Sequence, residues 1–338
     1  MQRFAAVKKE LISQSTAKQV FGLIADEMRR VEAEFERQAS SNIQVINYLG
    51  DYLRASGGKR LRPALLILTN QAAGGDAADN VIRLGTVMEM LHTATLVHDD
   101  IIDNADVRRN KPSVNARFGN QSAVLMGDWL YMSAFETALG ERSLEILDIL
   151  TSLTRKMTEG EIIQMTMIAR LDISVEDYFN ILRRKTAYLF SACCEIGAIQ
   201  AKSDDTTKAA MRNFGLDLGI AFQLADDLLD LTADSESLGK NAGADLLEGK
   251  LTLPLIKLVE AEPKMRAVFE RIMLDGNYDS FSRDQIRERL ESAGIIDDMK
   301  AEARTFLHRA KKSLDVLPET KYRYALEAIL NFIIERNA

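Results

Sequence analysis

Two short stretches of this chain carry the same acidic pattern. Residues 98–103 read His-Asp-Asp-Ile-Ile-Asp and residues 225–230 read Ala-Asp-Asp-Leu-Leu-Asp, each Asp-Asp-apolar-apolar-Asp at the end of an apolar run. On a helix, positions i and i+4 lie about 40° apart, so Asp99 and Asp103 share one face, as do Asp226 and Asp230. The middle residues, Asp100 and Asp227, point about 100° away and are weaker ligands. Like charges on one helical face repel unless something positive sits there. A solvated helix end explains one such triad, but explains poorly two identical ones that apolar residues flank. Clustered carboxylates without His or Cys partners prefer hard cations, Mg²⁺ above all, which also bind phosphate oxygens and water. Two such rows facing each other across a cleft would hold several Mg²⁺ ions and a diphosphate between them. An EF-hand loop is excluded, since its alternating ligands and central Gly are missing.

Basic residues cluster at the breaks between apolar runs. Gly57-Gly58-Lys59-Arg60-Leu61-Arg62-Pro63 is a glycine turn leading into three cations, with Pro63 placed for the first turn of the next helix. A helix N-terminus with basic neighbours is an anion site that needs no metal. Arg108, Arg109 and Lys111 follow the first triad, Lys185-Thr186 lies inside a helix, and Lys240 and Lys250 follow the second triad. Two anionic ligands fit this layout, one bridged by metal and one held directly by Lys and Arg. His92 precedes Asp99 by two turns, about 20° off its face, and suits ligand contact. His98 points away from the Asp99 face, and His308 sits in a charged surface helix. Cys193 and Cys194, on an apolar stretch, read as core.

The elements that must position these groups are helices. The chain has 338 residues with only 19 Gly and 5 Pro, too few turn formers for a sandwich or barrel. Apolar residues recur at three- and four-residue steps, as in Val81, Leu84, Met88 and Leu91. Helical patterns cover about 17–38, 41–54, 63–73, 76–104, 113–139, 143–169, 174–202, 206–232 and most of 251–335, with no convincing strand pair. None of the breaks is long enough for a linker, so residues 1–338 read as a single all-α domain. The formal charge of −7 disfavours a nucleic-acid binder. No apolar run reaches eighteen residues, which argues against a membrane span. Met1–Ser15 reads as a first packing helix and not as a secretory signal. Two adjacent thiols make no disulfide framework and point to a reducing compartment, hence the cytoplasm.

The segments GGKRLRP (57–63), HTATLVHDDIIDNADVRRNKPS (92–113), GDWL (127–130), GEIIQ (160–164), RKTAYLF (184–190), FQLADDLLD (222–230) and GKNAGADLLEGKLTLP (239–254) together resemble the trans-isoprenyl diphosphate synthases. They are collinear with that family over most of the chain. One departure is Asn241, where the family often has Pro. The resemblance implies a helical bundle of the isoprenoid synthase type with a central cavity, usually a homodimer. It implies head-to-tail 1′-4 condensation of isopentenyl diphosphate with an allylic diphosphate. Carried over by position, Asp99, Asp103 and Asp226 bind Mg²⁺ and Asp230 supports the second row. Arg108, Lys185 and Lys240 contact the allylic diphosphate. Thr186 and Gln223 sit where charge develops, so Asp99, Asp103, Lys185, Gln223 and Lys240 carry the catalysis. Lys59, Arg62, His92 and Arg109 bind isopentenyl diphosphate.

Product length is read from the helix before Asp99. Thr95, Leu91 and Met88 step down its face at about one turn each, and each turn is about 5.4 Å. Short-chain members place a bulky residue four or five positions before the first Asp, where this chain has Thr95 and Ala94, both small. The resemblance then implies a deep tunnel and a membrane-seeking all-trans product of about eight to ten isoprene units, of the kind used in quinone side chains. Met132 and Phe135 are candidates for its floor. A geranylgeranyl- or farnesyl-type synthase of shorter product is the nearest alternative. A class I terpene cyclase would not need the Lys59–Arg62 site. A non-catalytic subunit would have lost a triad or a basic site, and a metal-dependent phosphohydrolase would release pyrophosphate without isopentenyl diphosphate.

Overall fold

The computed structural model describes residues 17–55, 57–232 and 242–335. Met1–Ser15, expected to pack as a first helix, lies outside the described residues, as do Lys240 and Asn241. Within them the chain is helical apart from one hairpin. The order is α1 (Ala17–Gly22), α2 (Ala25–Gln38), α3 (Gln44–Ala55), α4 (Leu61–Ala72), α5 (Asp79–Ile102), β1 (Val107–Arg108), β2 (Lys111–Pro112), α6 (Val114–Phe118), α7 (Asn120–Gly140), α8 (Leu144–Met167), α9 (Val175–Leu182), a π-helical turn (Arg183–Ala187), α10 (Tyr188–Gln200), α11 (Asp205–Thr232), α12 (Ala244–Leu247), α13 (Leu253–Ala261), α14 (Met265–Asp275), α15 (Arg283–Ser292), α16 (Ile295–Ser313), a 3₁₀ turn (Leu314–Val316) and α17 (Lys321–Glu335).

The differences from the sequence reading have local causes. The expected helix over 113–139 is two helices, because Gly119 adopts φ +83° between them. Ser113 caps the first through its side chain, accepting from the Ala116 N–H. The break after Asn104 contains a strand pair, contrary to the expectation of none. It is antiparallel, with Val107 opposite Pro112 and Arg108 opposite Lys111. Its two turn residues, Arg109 and Asn110, both have positive φ (53° and 61°), the turn that matches strand twist. No glycine marks it, so nothing in the sequence signalled a hairpin.

The described residues gather into two compact units. One comprises those of Met1–Thr154 with Leu189–Gly215 and Ala310–Phe332, and the other comprises Arg155–Tyr188, those of Leu216–Arg309, and the end of α17. In the first, α5 is surrounded by α2, α4 and α7. It is therefore buried on every side along most of its length, Ile82, Thr86, Glu89 and Met90 included, and not only along the Val81–Leu91 stripe. Gly127 of α7 lets α7 approach this helix closely, since a Cβ there would lie 2.2 Å from His98 Nε2. His98 bonds the Val124 carbonyl at 3.2 Å and stacks on Tyr131, which accounts for its turn away from Asp99. The opposite face of α7 leaves Leu125, Met132 and Leu139 exposed at seven-residue spacing.

In the second unit, α9, α13, α14 and α15 close on a core that includes Leu253, Leu255, Phe269, Ile272, Ile286 and Leu290. Capping boxes start α9 (Ser174 with Asp177) and α15 (Ser282 with Gln285), satisfying N–H groups that have no partner in the first turn.

Within the first unit α10 passes against α4 at Gly197. An added Cβ would lie 2.5 Å from the Leu66 carbonyl oxygen and 3.2 Å from the Asn70 nitrogen, backbone atoms that cannot swing aside. Gly197→Ala should therefore cost about 1–3 kcal/mol and lower Tm by several degrees in thermal denaturation, at roughly 2–4 °C per kcal/mol. Gly140→Ala, where a Cβ meets nothing within 4 Å, is the control and should leave Tm unchanged or slightly raised. An unaltered Tm for Gly197→Ala would contradict the close approach.

Candidate active site

The first acidic row ends α5. Asp99 lies in the last helical turn and Asp103 is the C-cap, whose N–H still donates to the Asp99 carbonyl at 2.8 Å. Helical geometry thus extends through both residues, and both are half-buried. Asp100 is different: it is 3% exposed and takes the Nε–H of Arg108 at 2.7 Å, with Arg108 Nη2 on the same oxygen. Burial raises the Asp100 pKa and the Arg108 charge partly offsets the rise. The middle carboxylate is therefore the anchor for Arg108.

The hairpin that carries Arg108 is fastened to the chain on either side. Tyr52 donates to the Pro112 carbonyl at 2.6 Å, and Lys111 Nζ donates to the Ala55 carbonyl at 2.5 Å. Arg109, at the hairpin tip, hydrogen-bonds the Gly57 carbonyl. A Cβ on Gly58 would lie 2.7 Å from Arg109 Nη1, so the second glycine makes room for that guanidinium. The glycine turn and the post-triad cations, 50 residues apart in sequence, are thereby one basic surface.

His92 faces this surface. Burial first, and then the positive charges of Arg62, Arg109, Arg108 and Arg60, hold its imidazole well below the ordinary value, so it is neutral. Arg62 rests over the Phe190 ring at 5.1 Å. Arg60 turns inward, binding Glu32 at 2.5 Å and Glu89 at 2.8 Å. It adopts φ +47° at the N-cap of α4, and these ion pairs hold it there. Arg60 therefore stabilises the loop that presents Lys59 and Arg62. Glu32 and Glu89, which sequence reasoning missed, are recognisable only once α2 and α5 are known to flank that loop.

The second unit holds the other set. The π turn departs from regular α geometry at Lys185 and Thr186, a distortion frequent at functional sites. Gly160 lets α8 come close: a Cβ would lie 2.7 Å from the Arg184 Cβ and 3.3 Å from the Lys185 Cγ. Lys185 Nζ then reaches Glu161 at 2.8 Å and donates to Gln164 at 3.0 Å, which gives the GEIIQ segment its role. Thr186 donates to Gln223 Oε1 at 2.9 Å, and Gln223 Nε2 donates to Asp227 Oδ1 at 2.8 Å. Tyr178 donates to Asp227 Oδ2 at 2.6 Å. Asp227 is 3% exposed, and burial pushes its pKa up to about 7 despite these donors. Asp226 is half-buried and Asp230 is buried. Gln164, Met167, Lys185, Thr186, Gln223 and Leu251 are among the residues lining one largely apolar pocket in this unit.

Regular α-helix would leave Tyr178 and Thr186, eight residues apart, about 80° out of register. The wider π turn rotates less per residue and reduces that offset. Both side chains consequently reach α11, one at Asp227 and one at Gln223. The turn itself has no sequence signature; its outcome is that Thr186 and Tyr178 bond Gln223 and Asp227, one turn apart on α11.

The half-buried carboxylates, Asp99 and Asp103 in the first unit and Asp226 in the second, offer oxygen donors alone, the chemistry of a hard divalent cation. Among the described residues no three carboxylate, imidazole or thiol groups form a closed metal cage. Such donors suit an open site that shares its ion with phosphate oxygens and water. Neither thiol is a nucleophile: Cys193 and Cys194 are buried, and burial pushes Cys194 up to about 12. Of the residues expected along a tunnel, Ala94, Leu91 and Met88 are fully buried in α5, while Thr95 and Phe135 are half-buried. Met132 is 62% exposed, on the outward stripe of α7, and so closes nothing within its own unit. No helix of the described residues is long and apolar enough to cross a membrane.

The polyprenyl synthetase family model matches residues 43–289. Octaprenyl diphosphate synthase of Escherichia coli (strain K12) is 36% identical over 315 residues, covering 93% of this chain and 97% of that protein. Polyprenyl synthase from Caulobacter crescentus CB15, solved with calcium and isoprenyl diphosphate, superposes with a TM-score of 0.90 at 35% identity, covering 96% of this chain and 98% of that one. A decaprenyl diphosphate synthase from Rhodobacter capsulatus gives 0.89 at 31% identity, covering 96% of this chain and all of the other.

Proposed function

Because this chain belongs to the polyprenyl synthetase family, we infer that it is a long-chain trans-polyprenyl diphosphate synthase. It condenses isopentenyl diphosphate with an allylic diphosphate. The observation that carries the reading is the presence of two separate cationic anchors, the His92–Arg109 surface and the Lys185 turn, in a chain similar to octaprenyl diphosphate synthase over nearly its whole length. A cyclase or a phosphohydrolase, with one diphosphate to hold, has no use for the first anchor.

In the reaction, the C1–O bond of the allylic diphosphate breaks and its electron pair leaves with diphosphate. The double bond of isopentenyl diphosphate attacks the allylic carbon, forming the new C–C bond, and a proton then leaves for the departed diphosphate. Asp99, Asp103 and Asp226 are the residues to hold Mg²⁺, with Asp230 behind the second row. When bound, Mg²⁺ neutralises the charge that develops on the leaving diphosphate. Arg108, Lys185 and Lys240 add fixed positive charge to the same group. Asp100 keeps Arg108 aimed, and Glu161 and Gln164 do so for Lys185. Thr186 and Gln223 turn oxygens toward the carbon that becomes cationic. Lys59, Arg62, Arg109 and neutral His92 bind isopentenyl diphosphate.

One all-helical domain carries this chemistry. The reading includes a homodimer built on the Leu125, Met132 and Leu139 stripe, whose seven-residue spacing suits a helix of a second copy. It places the enzyme in the cytoplasm, making a membrane-seeking chain for quinone side chains.

Pyrophosphate release that depends on both isopentenyl diphosphate and Mg²⁺ is the direct test. Asp99→Ala and Asp226→Ala should each lower turnover by orders of magnitude in folded protein. Arg62→Ala should raise KM chiefly for isopentenyl diphosphate and Lys185→Ala chiefly for the allylic substrate, each about tenfold or more. Equal effects on both substrates would contradict the two-anchor assignment. The wild-type product, measured by mass, should contain about eight to ten isoprene units by the same family likeness. Ala94→Phe or Thr95→Phe should shorten it to about C15–C20 by placing a ring across the tunnel; unchanged length in both variants sinks the tunnel along α5. In light scattering the wild type should have the mass of a dimer, and Leu125→Lys with Met132→Lys that of a monomer.

A further inference from the structure

We propose that Tyr178 and Asp227 are positioning residues that fix which end of the Gln223 side-chain amide faces Thr186, presenting its carbonyl oxygen and never its NH₂ group. The proposal rests on the prenyl-transfer reading and assigns a task to two residues outside the metal and diphosphate sets.

A glutamine amide has two ends of nearly equal size and opposite polarity, and nothing in its shape chooses between them. The choice comes from its partners. Each oxygen of the Asp227 carboxyl group already has a donor: Oδ2 takes the Tyr178 hydroxyl at 2.6 Å and Oδ1 takes Gln223 Nε2 at 2.8 Å. Rotating the amide by 180° would set Oε1 against Oδ1, two acceptors at hydrogen-bonding distance around a carboxylate that is 3% exposed. Losing that hydrogen bond and leaving a buried acceptor unpaired disfavours the flipped form roughly tenfold to a hundredfold.

With Nε2 committed to Asp227, Oε1 is left for Thr186, which donates to it at 2.9 Å. The donors run in one direction, Thr186 to Gln223 to Asp227, and Tyr178 closes the far side. A carbonyl oxygen has two lone pairs, and Thr186 uses one. The other belongs to the pocket that Thr186, Gln223 and Lys185 line together. In prenyl transfer positive charge develops on the allylic carbon, and an amide held with its negative end inward stabilises it without reorganising. The flipped amide would put N–H groups against that cation.

Tyr178 does its work at a distance. Its hydroxyl keeps the second Asp227 oxygen occupied, so the carboxyl group stays turned toward Gln223. The π turn supplies the geometry, since it brings Tyr178 and Thr186 to the same neighbour, α11.

A double-mutant cycle on the full-length protein tests this, with kcat, both KM values and Tm measured for each variant. Tyr178→Phe should lower kcat about tenfold and Asp227→Asn more, because an asparagine can face Gln223 with either end. KM for isopentenyl diphosphate should stay within about twofold in each. In the Gln223→Ala background, already slow, Tyr178→Phe should remove nothing further. A Tyr178→Phe variant that folds and keeps wild-type kcat overturns the proposal. So does a loss of equal size in the Gln223→Ala background, which would mark Tyr178 as a packing residue. Should Asp227→Asn fail to fold, the cycle with Tyr178→Phe decides alone. Wild-type protein that joins no isopentenyl diphosphate to an allylic diphosphate would instead refute the functional reading on which the proposal stands.

Discussion

The constraint on which the rest depends is electrostatic. Each Asp-Asp-x-x-Asp triad crowds three carboxylates into five residues at the edge of an apolar core, and an isolated charge cannot remain there. The chain solves the problem by giving the members different work. Of the four outer residues, Asp99, Asp103 and Asp226 stay half-buried, where a cation can reach them, while Asp230 is buried. The middle residues are buried and compensated from within, Asp100 by Arg108 and Asp227 by Tyr178 and Gln223. Compensation has a second effect, because each partner is itself fixed in place. Arg108 and Gln223, which we propose act on diphosphate and on the reacting carbon, are thus oriented by the same contacts that make the acidic rows tolerable.

Much of this was legible in the sequence. The i, i+4 spacing of the acidic rows, the basic residues in the breaks and the scarcity of Gly and Pro point to metal, diphosphate and helices without further help. The wheel also separated Asp100 and Asp227 from the ligand face, though not what they bind. What escaped was whatever depended on contacts between distant segments. Arg60 looked like Lys59 and Arg62 until Glu32 and Glu89 came beside it. The hairpin at 107–112 was invisible because its left-handed positions are occupied by arginine and asparagine rather than glycine. Met132 read as a tunnel floor by proximity in sequence, but the azimuth of α7 turns it outward.

The two cationic anchors differ in kind, which suits two different demands. Around His92 several guanidiniums converge on a neutral imidazole, and Arg109 is itself pulled below its ordinary pKa by burial, with neighbouring Arg60 and Arg108 adding to the pull. That surface is charge-rich and favours binding an anion outright. At the π turn Lys185 is balanced by Glu161 and Arg184 by Glu159, and Lys185 sits beside neutral donors and acceptors. That arrangement holds less net charge and more directed polarity, which suits a centre where positive charge must form.

The π turn also sets how this chain can vary. Substitutions at Arg183 or Tyr188 leave its register intact, whereas a change of length does not. Deleting one residue between Arg183 and Ala187 would restore ordinary helical bonding, expose little apolar surface and leave a helix of greater intrinsic regularity. It would also rotate Lys185 and Thr186 out of the positions at which they meet α8 and α11. The segment therefore tolerates a change of residue better than a change of length: a one-residue deletion there keeps the helix sound but moves the side chains that meet Glu161, Gln164 and Gln223.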